Sequence, residues 1–280
     1  MTINTLLLGL CIIALIIAIG SWALADDWQK KAATAFFIVG QRGRTKEERE
    51  WGYRNALLAG NQKAEKYYFY SAIEKFMNEK PLIPFPLEIN AKKSIPCVFF
   101  NYYIPKSEHG FISWEQRNFI QSVFNFKDGK DNCFPLFKQA LSKLDLPDET
   151  TILLFMPCSS ERSYISRYTS LCQAFSNERG LKPYLFSITY LKDRNSKHHS
   201  TQRNEIKTES NVAIRADIVG QKVILIDDVI TTGNSIREYT EELARYGIQV
   251  LGAVCLARTA RYPFSDTTAL YQQAKKDNTE

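Results

Sequence analysis

The sequence predicts an α/β fold with a mainly parallel sheet flanked by helices, preceded by a transmembrane helix and a small helical region. Three observations carry this expectation. From about residue 96, short apolar runs alternate with amphipathic segments of helical period. The stretch "VILIDDVITTGNSI", Val223 to Ile236, ends an apolar strand in two carboxylates and turns through Thr-Thr-Gly toward an amphipathic helix. Residues 6–25, "LLLGLCIIALIIAIGSWALA", form an uncharged run of 20 residues, which as a helix matches the roughly 30 Å hydrocarbon core of a bilayer.

Composition sets the outer limits. With 280 residues, 45% of them hydrophobic and 24% charged, the chain can bury one large core or two smaller ones, which excludes a disordered segment. A net charge of +6 suits an anionic partner, although over this length a mild basic excess is ordinary for a solvated surface. Cys11, Cys97, Cys133, Cys158, Cys172 and Cys255 lie far apart with no C-x-x-C pair. That spacing excludes a zinc ribbon or a small disulfide scaffold and fits a reducing compartment.

The first element is the apolar run. Ala23-Leu24-Ala25 resembles a signal-cleavage site, so a cleaved signal is the alternative to an anchor. Against cleavage, "MTIN" carries no Lys or Arg and the run exceeds the usual signal core. The basic residues Lys30, Lys31, Arg42, Arg44, Lys46 and Arg49 follow the run, which by the positive-inside rule places the downstream chain in the cytoplasm. The expectation is a single-pass membrane protein with its anchor in residues 1–27. Residues 28–95 follow as a helical region and linker, in which "YRNALLAGNQKAEKYYFYSAIEKFM" reads as helices broken near Gly60-Asn61. "PLIPFPLEI", with three prolines, then marks a boundary.

The α/β domain is expected over residues 96–265, with a tail from 266 to 280. "CVFFNYYI" reads as a strand, "SWEQRNFIQSVFNF" and "CFPLFKQALSKL" as helices, and "TILLFMP" as a short strand. "YISRYTSLCQAFSNERG" is a helix closing at Gly180, "YLFSITYL" a strand from Tyr184 to Leu191, and "VLGAVCLA" the last strand. Such sheets bind ligands outside the carboxyl ends of their strands.

"KVILID" therefore delivers Asp227 and Asp228 to a crevice. Ser235 and Glu238 have capping-box spacing, and Ile236, Tyr239, Leu243 and Tyr246 form one apolar stripe, so Thr231-Thr232-Gly233 is the turn into a helix. Free amides at that helix start attract an anion, Gly233 lets the backbone approach it, and the hydroxyls of Thr231, Thr232 and Ser235 add donors beside Asn234. The two carboxylates can accept hydrogen bonds from a vicinal diol or help hold Mg²⁺. Phosphate, diol and metal together describe a phosphorylated ribose. The bland alternative is turn and cap chemistry at a strand end.

"VILIDDVITTGNSI" resembles the phosphoribosyl diphosphate (PRPP) binding motif of the type I phosphoribosyltransferases. "CLARTAR" after the last strand and "FNFKDGK" around Lys127 are similar to stretches of the competence-protein-F-like branch of that family. The likeness spans roughly residues 96–261, but the paired-cysteine zinc module that many members of the branch carry is missing here. The resemblance implies that Asp227 and Asp228 contact the ribose hydroxyls and a Mg²⁺ ion, and that Thr231, Thr232, Gly233, Asn234 and Ser235 hold the 5′-phosphate. By position alone, the turn of Cys158, Ser159, Ser160 and Glu161 matches the pyrophosphate loop, with Ser159 and Ser160 its candidates. The resemblance also places a closing loop at residues 192–205, where Lys197 and Arg203 would cover the leaving group; His198 and His199 read as solvated residues rather than metal ligands.

The activity so implied is transfer of the phosphoribosyl group of PRPP to a base or other nitrogen nucleophile, with release of pyrophosphate. Tyr262 and Phe264 are candidates to stack on a base, with packing onto the core as the alternative. Two other readings stay open: a non-catalytic sensor of PRPP or a nucleotide, and an accessory protein associated with nucleic acid. Assembly as a homodimer also stays open.

Overall fold

A computed structural model describes residues 25–79, 82–144, 151–190 and 212–262. The described residues divide into two compact units, one formed by those up to Glu74 with Ser107–Ser113, the other by Lys75–Lys106 and those from Trp114 to Tyr262.

The first unit is helical. Helix α1 covers residues 25–42 and α2 covers Lys46–Leu58, after which a 3-10 turn at Gln62–Ala64 leads into α3, Glu65–Glu79. Thr45 caps α2 in a complete capping box with Glu48, which satisfies amides that would otherwise be orphaned at the helix start. Its core is aromatic: Tyr53 stacks on Tyr67 with ring centroids 4.6 Å apart, and the Tyr53 hydroxyl donates to the Gly110 carbonyl at 2.9 Å.

One expectation is overturned here. Among the described residues no helix is long and apolar enough to cross a membrane, so the reading of a single-pass membrane protein does not stand, nor does the cytoplasmic placement that rested on it. Helix α1, the first described helix, is itself no candidate to cross. Asp26 and Asp27 pair with Lys30 and Lys31 at 2.5 and 2.7 Å along an exposed face, charges that a hydrocarbon layer would not accept at low cost. Residues 6–24, which carried the reading, lie outside the described residues.

The second unit is built on a six-stranded sheet in the order β1-β2-β8-β7-β3-β4. Its strands are β1 (Ile83–Asn90), β2 (Lys93–Tyr103), β3 (Thr151–Phe155), β4 (Leu181–Tyr184), β7 (Lys222–Ile230) and β8 (Gln249–Thr259). All neighbours run parallel except β1, which pairs antiparallel with β2. A separate antiparallel pair joins β5 (Ile188–Tyr190) to β6 (Val212–Ile214). Among the described residues, four helices accompany the sheet: α4 (Trp114–Lys127), α5 (Phe134–Leu141), α6 (Glu161–Ser176) and α7 (Asn234–Arg245). Helix α5 packs on β2 and β8, α6 on β4, and α7 on β8 and β1. The mainly parallel sheet flanked by helices agrees with the sequence. Val223, Ile224, Leu225 and Ile226 are all buried, the continuous apolar run expected of a central parallel strand.

Three local differences have physical reasons. "PLIPFPLEI" is an edge strand rather than a linker: Pro84 and Pro86 face solvent on β1, where a missing amide costs the ladder nothing. The run from Tyr184 to Leu191 is not one strand, because β3 has only five residues and offers no partner beyond Tyr184. The chain turns there and Ile188–Tyr190 pairs with β6 instead. Helix α7 begins after Gly233, whose backbone lies in the left-handed region at φ 80°. Ser235 thus sits one residue inside the helix, and the capping box expected with Glu238 does not form.

Candidate functional site

The relative lengths of two neighbouring strands create the crevice. β3 ends at Phe155, opposite Ile226, while β7 continues to Ile230. Beyond Ile226 the last four residues of β7 keep their ladder with β8, where Asp227 is level with Cys255 and Val229 with Ala257, and they lose their neighbour on the β3 side. Asp227 and Asp228 stand at the start of this overhang, inside the strand rather than after it. The Asp227 carboxylate accepts from the Asp228 amide at 2.8 Å, and that of Asp228 from the Val229 amide at 2.5 Å.

Asp228 is 7% exposed and is already neutralised within the chain. One oxygen accepts a short hydrogen bond from Arg167 on α6, and the other lies 3.8 Å from the Lys127 ammonium at the end of α4. The turn after Lys127 is held by Gly129, at φ 69°, where a side chain would drive into the Ser166 backbone of α6 at 2.3 Å. This explains the glycine in "FNFKDGK": it lets the turn close onto the helix that also carries Arg167. Asp227 is different. Burial and the neighbouring Asp228 carboxylate push its carboxyl well above the ordinary carboxylate range.

The Thr-Thr-Gly turn follows directly. Thr231, Thr232, Asn234 and Ser235 are exposed, while Gly233 is buried against Leu87 of β1, whose methyl group would lie 2.5 Å from a side chain placed there. The exposed residues frame the start of α7, where unpaired amides and the helix dipole favour an anion.

The turn after β3 shares the crevice with these groups. Ser159 is exposed, and Ser160 is the N-cap of α6, its hydroxyl accepting from the Ser163 amide at 3.2 Å. The Cys158 amide donates to the Tyr190 hydroxyl at 2.7 Å. Burial pushes the Cys158 thiol up to about 12, so it stays protonated near neutral pH and is a poor nucleophile. Lys197, Arg203, His198, His199 and Phe264 lie outside the described residues. Among the described residues no group of three or more His, Cys, Asp or Glu side chains forms a metal cluster.

Arg167 and Tyr190 were not singled out by motif. Arg167 did leave a trace in the sequence: three residues after Tyr164 and four before Leu171, it borders the buried stripe of Tyr164, Tyr168, Leu171 and Phe175 on α6, and a cation at such a position needs a partner. Tyr190 left none, since its role depends on the break between β4 and β5.

Comparison with known proteins agrees with this geometry. Residues 183–273 match the phosphoribosyl transferase domain family. Over 120 residues, 41% of this chain, the sequence is 27% identical to the DNA utilization protein YhgH of Salmonella typhimurium and to that of Salmonella typhi. The chain spans about half the length of these curated relatives, at 52%. The matched region takes in β7, the Thr-Thr-Gly turn, α7 and β8; over residues 183–273 this chain is therefore similar to the phosphoribosyl transferase domain family, and its likeness to the YhgH proteins agrees with a resemblance to the competence-protein-F-like branch.

Proposed function

We propose that the chain binds PRPP together with Mg²⁺ and transfers the phosphoribosyl group to a nitrogen nucleophile, releasing pyrophosphate. The observation that carries this reading is the overhang of β7, which sets two carboxylates beside an exposed hydroxyl-rich turn at the start of α7. The amides and hydroxyls of Thr231, Thr232, Gly233, Asn234 and Ser235 hold the 5′-phosphate. Asp227 and Asp228 accept from the ribose hydroxyls, which fixes the sugar ring while the anomeric carbon gains positive charge. Ser159 and the turn around it receive the pyrophosphate, and the Lys197 and Arg203 segment covers it.

Asp227 is the side chain that would hold a Mg²⁺ ion, since Asp228 is already paired with Arg167 and Lys127. Asp227 is a carboxylate held partly protonated by its surroundings, and a cation beside it would favour its ionised form. Mg²⁺, when bound, neutralises charge on the departing pyrophosphate.

One observation favours a second reading, a non-catalytic sensor of PRPP or a nucleotide. Asp228 is committed to Arg167 and Lys127, and the Cys158 amide to Tyr190, so two groups that the reaction needs are occupied internally. The name of the Salmonella relatives supports a third, an accessory role connected with DNA. Calorimetry of the full chain with PRPP, with and without Mg²⁺, tests the first two together. Mg²⁺-dependent binding that weakens in Asp227→Asn is expected. Binding followed by pyrophosphate release with one member of a panel of bases identifies the enzyme; binding without release across the panel favours the sensor. A folded chain that does not bind PRPP leaves neither.

A further inference from the structure

Tyr164 of α6, Ser187 and Tyr190 at β5, and Tyr239 of α7 bring four hydroxyls together behind the turn that follows β3. The Tyr164 and Tyr190 ring centroids are 5.8 Å apart. Burial pushes the Tyr164 phenol well above its ordinary value, with Tyr239 adding to the effect and Ser187 acting against it. Burial, then Glu242 and Tyr190, push the Tyr239 phenol up in the same way. The four groups therefore form one connected cluster. Tyr190 alone is engaged: its hydroxyl accepts from the Cys158 amide at 2.7 Å and donates to the Cys158 carbonyl at 3.3 Å. The hydroxyls of Tyr164, Ser187 and Tyr239 are buried, and among the described residues none of them has a hydrogen-bond partner.

A buried hydroxyl without a partner has given up water and gained nothing in exchange. Three of them beside one engaged tyrosine make a place where a further donor and acceptor would be stabilised, and a phenol hydroxyl is both at once. The element that carries Tyr190 is also the one least tied down. β5 pairs with β6 through Ile188–Ile214, Thr189–Ala213 and Tyr190–Val212. Among the described residues no ladder joins this pair to the six-stranded sheet, and a two-stranded ribbon is marginally stable by itself. The Cys158 turn, by contrast, is pinned on both sides, by the Met156 amide on the Ile226 carbonyl and by the Ser160 cap of α6.

We propose that Tyr190 is a two-position latch: its hydroxyl either closes over the Cys158 amide, as in this structure, or moves into the cluster of Tyr164, Ser187 and Tyr239, and a diphosphate arriving at the turn selects the second position. The latch rests on the reading of that turn as the receiver of pyrophosphate and adds how access to it is regulated. In the first position the turn is blocked and three hydroxyls stay unsatisfied. In the second the amide is free for the ligand and the cluster gains its partner, so each position is favoured by a different set of hydrogen bonds. The ligand shifts the balance because it needs the amide that Tyr190 occupies.

The test is amide hydrogen exchange at Cys158 in the full chain without ligand, followed by calorimetry with PRPP and with inorganic pyrophosphate. Tyr190→Phe should speed exchange at Cys158 by about tenfold. Ser187→Ala and Tyr239→Phe, which take away the second position, should each slow it by about threefold and leave Tm unchanged or raised, since no hydrogen bond is lost. In a Tyr190→Phe background neither should change the exchange further. Ligand affinity should follow the same order, higher in Tyr190→Phe and about threefold lower in Ser187→Ala and Tyr239→Phe. Unchanged exchange in Tyr190→Phe overturns the latch. The second position is overturned if Ser187→Ala and Tyr239→Phe both leave exchange as it was, if their effect persists without the Tyr190 hydroxyl, or if both lower Tm. Binding of PRPP with the same affinity in all variants overturns the latch and leaves the proposed phosphoribosyl transfer standing. PRPP and pyrophosphate both failing to bind, with the exchange pattern as expected, removes the transfer and leaves the two positions of Tyr190.

Discussion

Replacing Arg167 by Met should reveal Asp228 as a buried charge that depends on its partner. Asp228 is 7% exposed, and its side chain accepts from Arg167 on one oxygen with Lys127 3.8 Å from the other. Removing one member of a fully buried ion pair costs about 3–5 kcal/mol, because the remaining charge is stranded. Lys127 and the Val229 amide stay in place here, which brings the expected cost to about 2–4 kcal/mol. Asp228→Asn keeps an oxygen for the Val229 amide but gives up the charge, for about 1–3 kcal/mol. With both changes made, neither charge is stranded against the other, so the double variant should be less damaged than the sum by about 1–3 kcal/mol. Urea unfolding of the four proteins at one pH measures this cycle. Additivity within about 0.5 kcal/mol would refute the view of Arg167 and Asp228 as one unit.

Other consequences follow from the same geometry. Asp227 is pushed up to about 7 from an ordinary 3.8, so ionising it in the folded protein costs stability that grows as pH rises between those values and is absent below them. Asp227→Asn should therefore stabilise the chain at pH 8, by at most about 4 kcal/mol, and have little effect at pH 4; equal shifts in unfolding midpoint at both pH values would contradict this. Gly233→Ala combines a left-handed backbone with a contact of 2.5 Å to Leu87 and should cost about 2–4 kcal/mol, read as a fall in Tm that a Leu87→Ala background reduces. Tyr190→Phe frees the Cys158 amide, donor of a 2.7 Å hydrogen bond. PRPP affinity should then rise about fivefold, and an unchanged or weaker affinity by calorimetry would count against the Cys158 turn as the pyrophosphate loop.

Much of the sheet was legible because its signals are local. Ile152 to Phe155 and Val223 to Ile226 are uninterrupted apolar runs, and such runs between helical periods read directly as buried parallel strands. The helix after Gly233 was legible from Ile236, Tyr239 and Leu243, all of which are buried; Tyr246, which continues the spacing, is the C-cap and lies exposed. What could not be read depends on pairing between distant segments. Pro84 and Pro86 look like breakers until β1 is known to be an edge. The long strand from Tyr184 fails because β3 stops at Phe155, a length that the sequence of the later strand does not contain. The apolar run at residues 6–25 shows a further limit: hydropathy measures what a segment tolerates, and no described helix bears out a crossing.

The same reasoning explains why the acid pair was recognised while its partners were not. Asp227 and Asp228 are neighbours in sequence, so the motif displays them together. Lys127 and Arg167 approach Asp228 from α4 and α6, and Tyr190 of β5 holds the neighbouring Cys158 turn, so three elements distant in sequence meet around the overhang of β7. That overhang also fixes the balance of the site. β8 supports it on one side and holds the acids in a rigid ladder, so they cannot relax away from one another. On the other side the absence of β3 gives α6 room to place Arg167 against Asp228. Asp228 is thereby neutralised, and the cost of two adjacent carboxyls falls on Asp227.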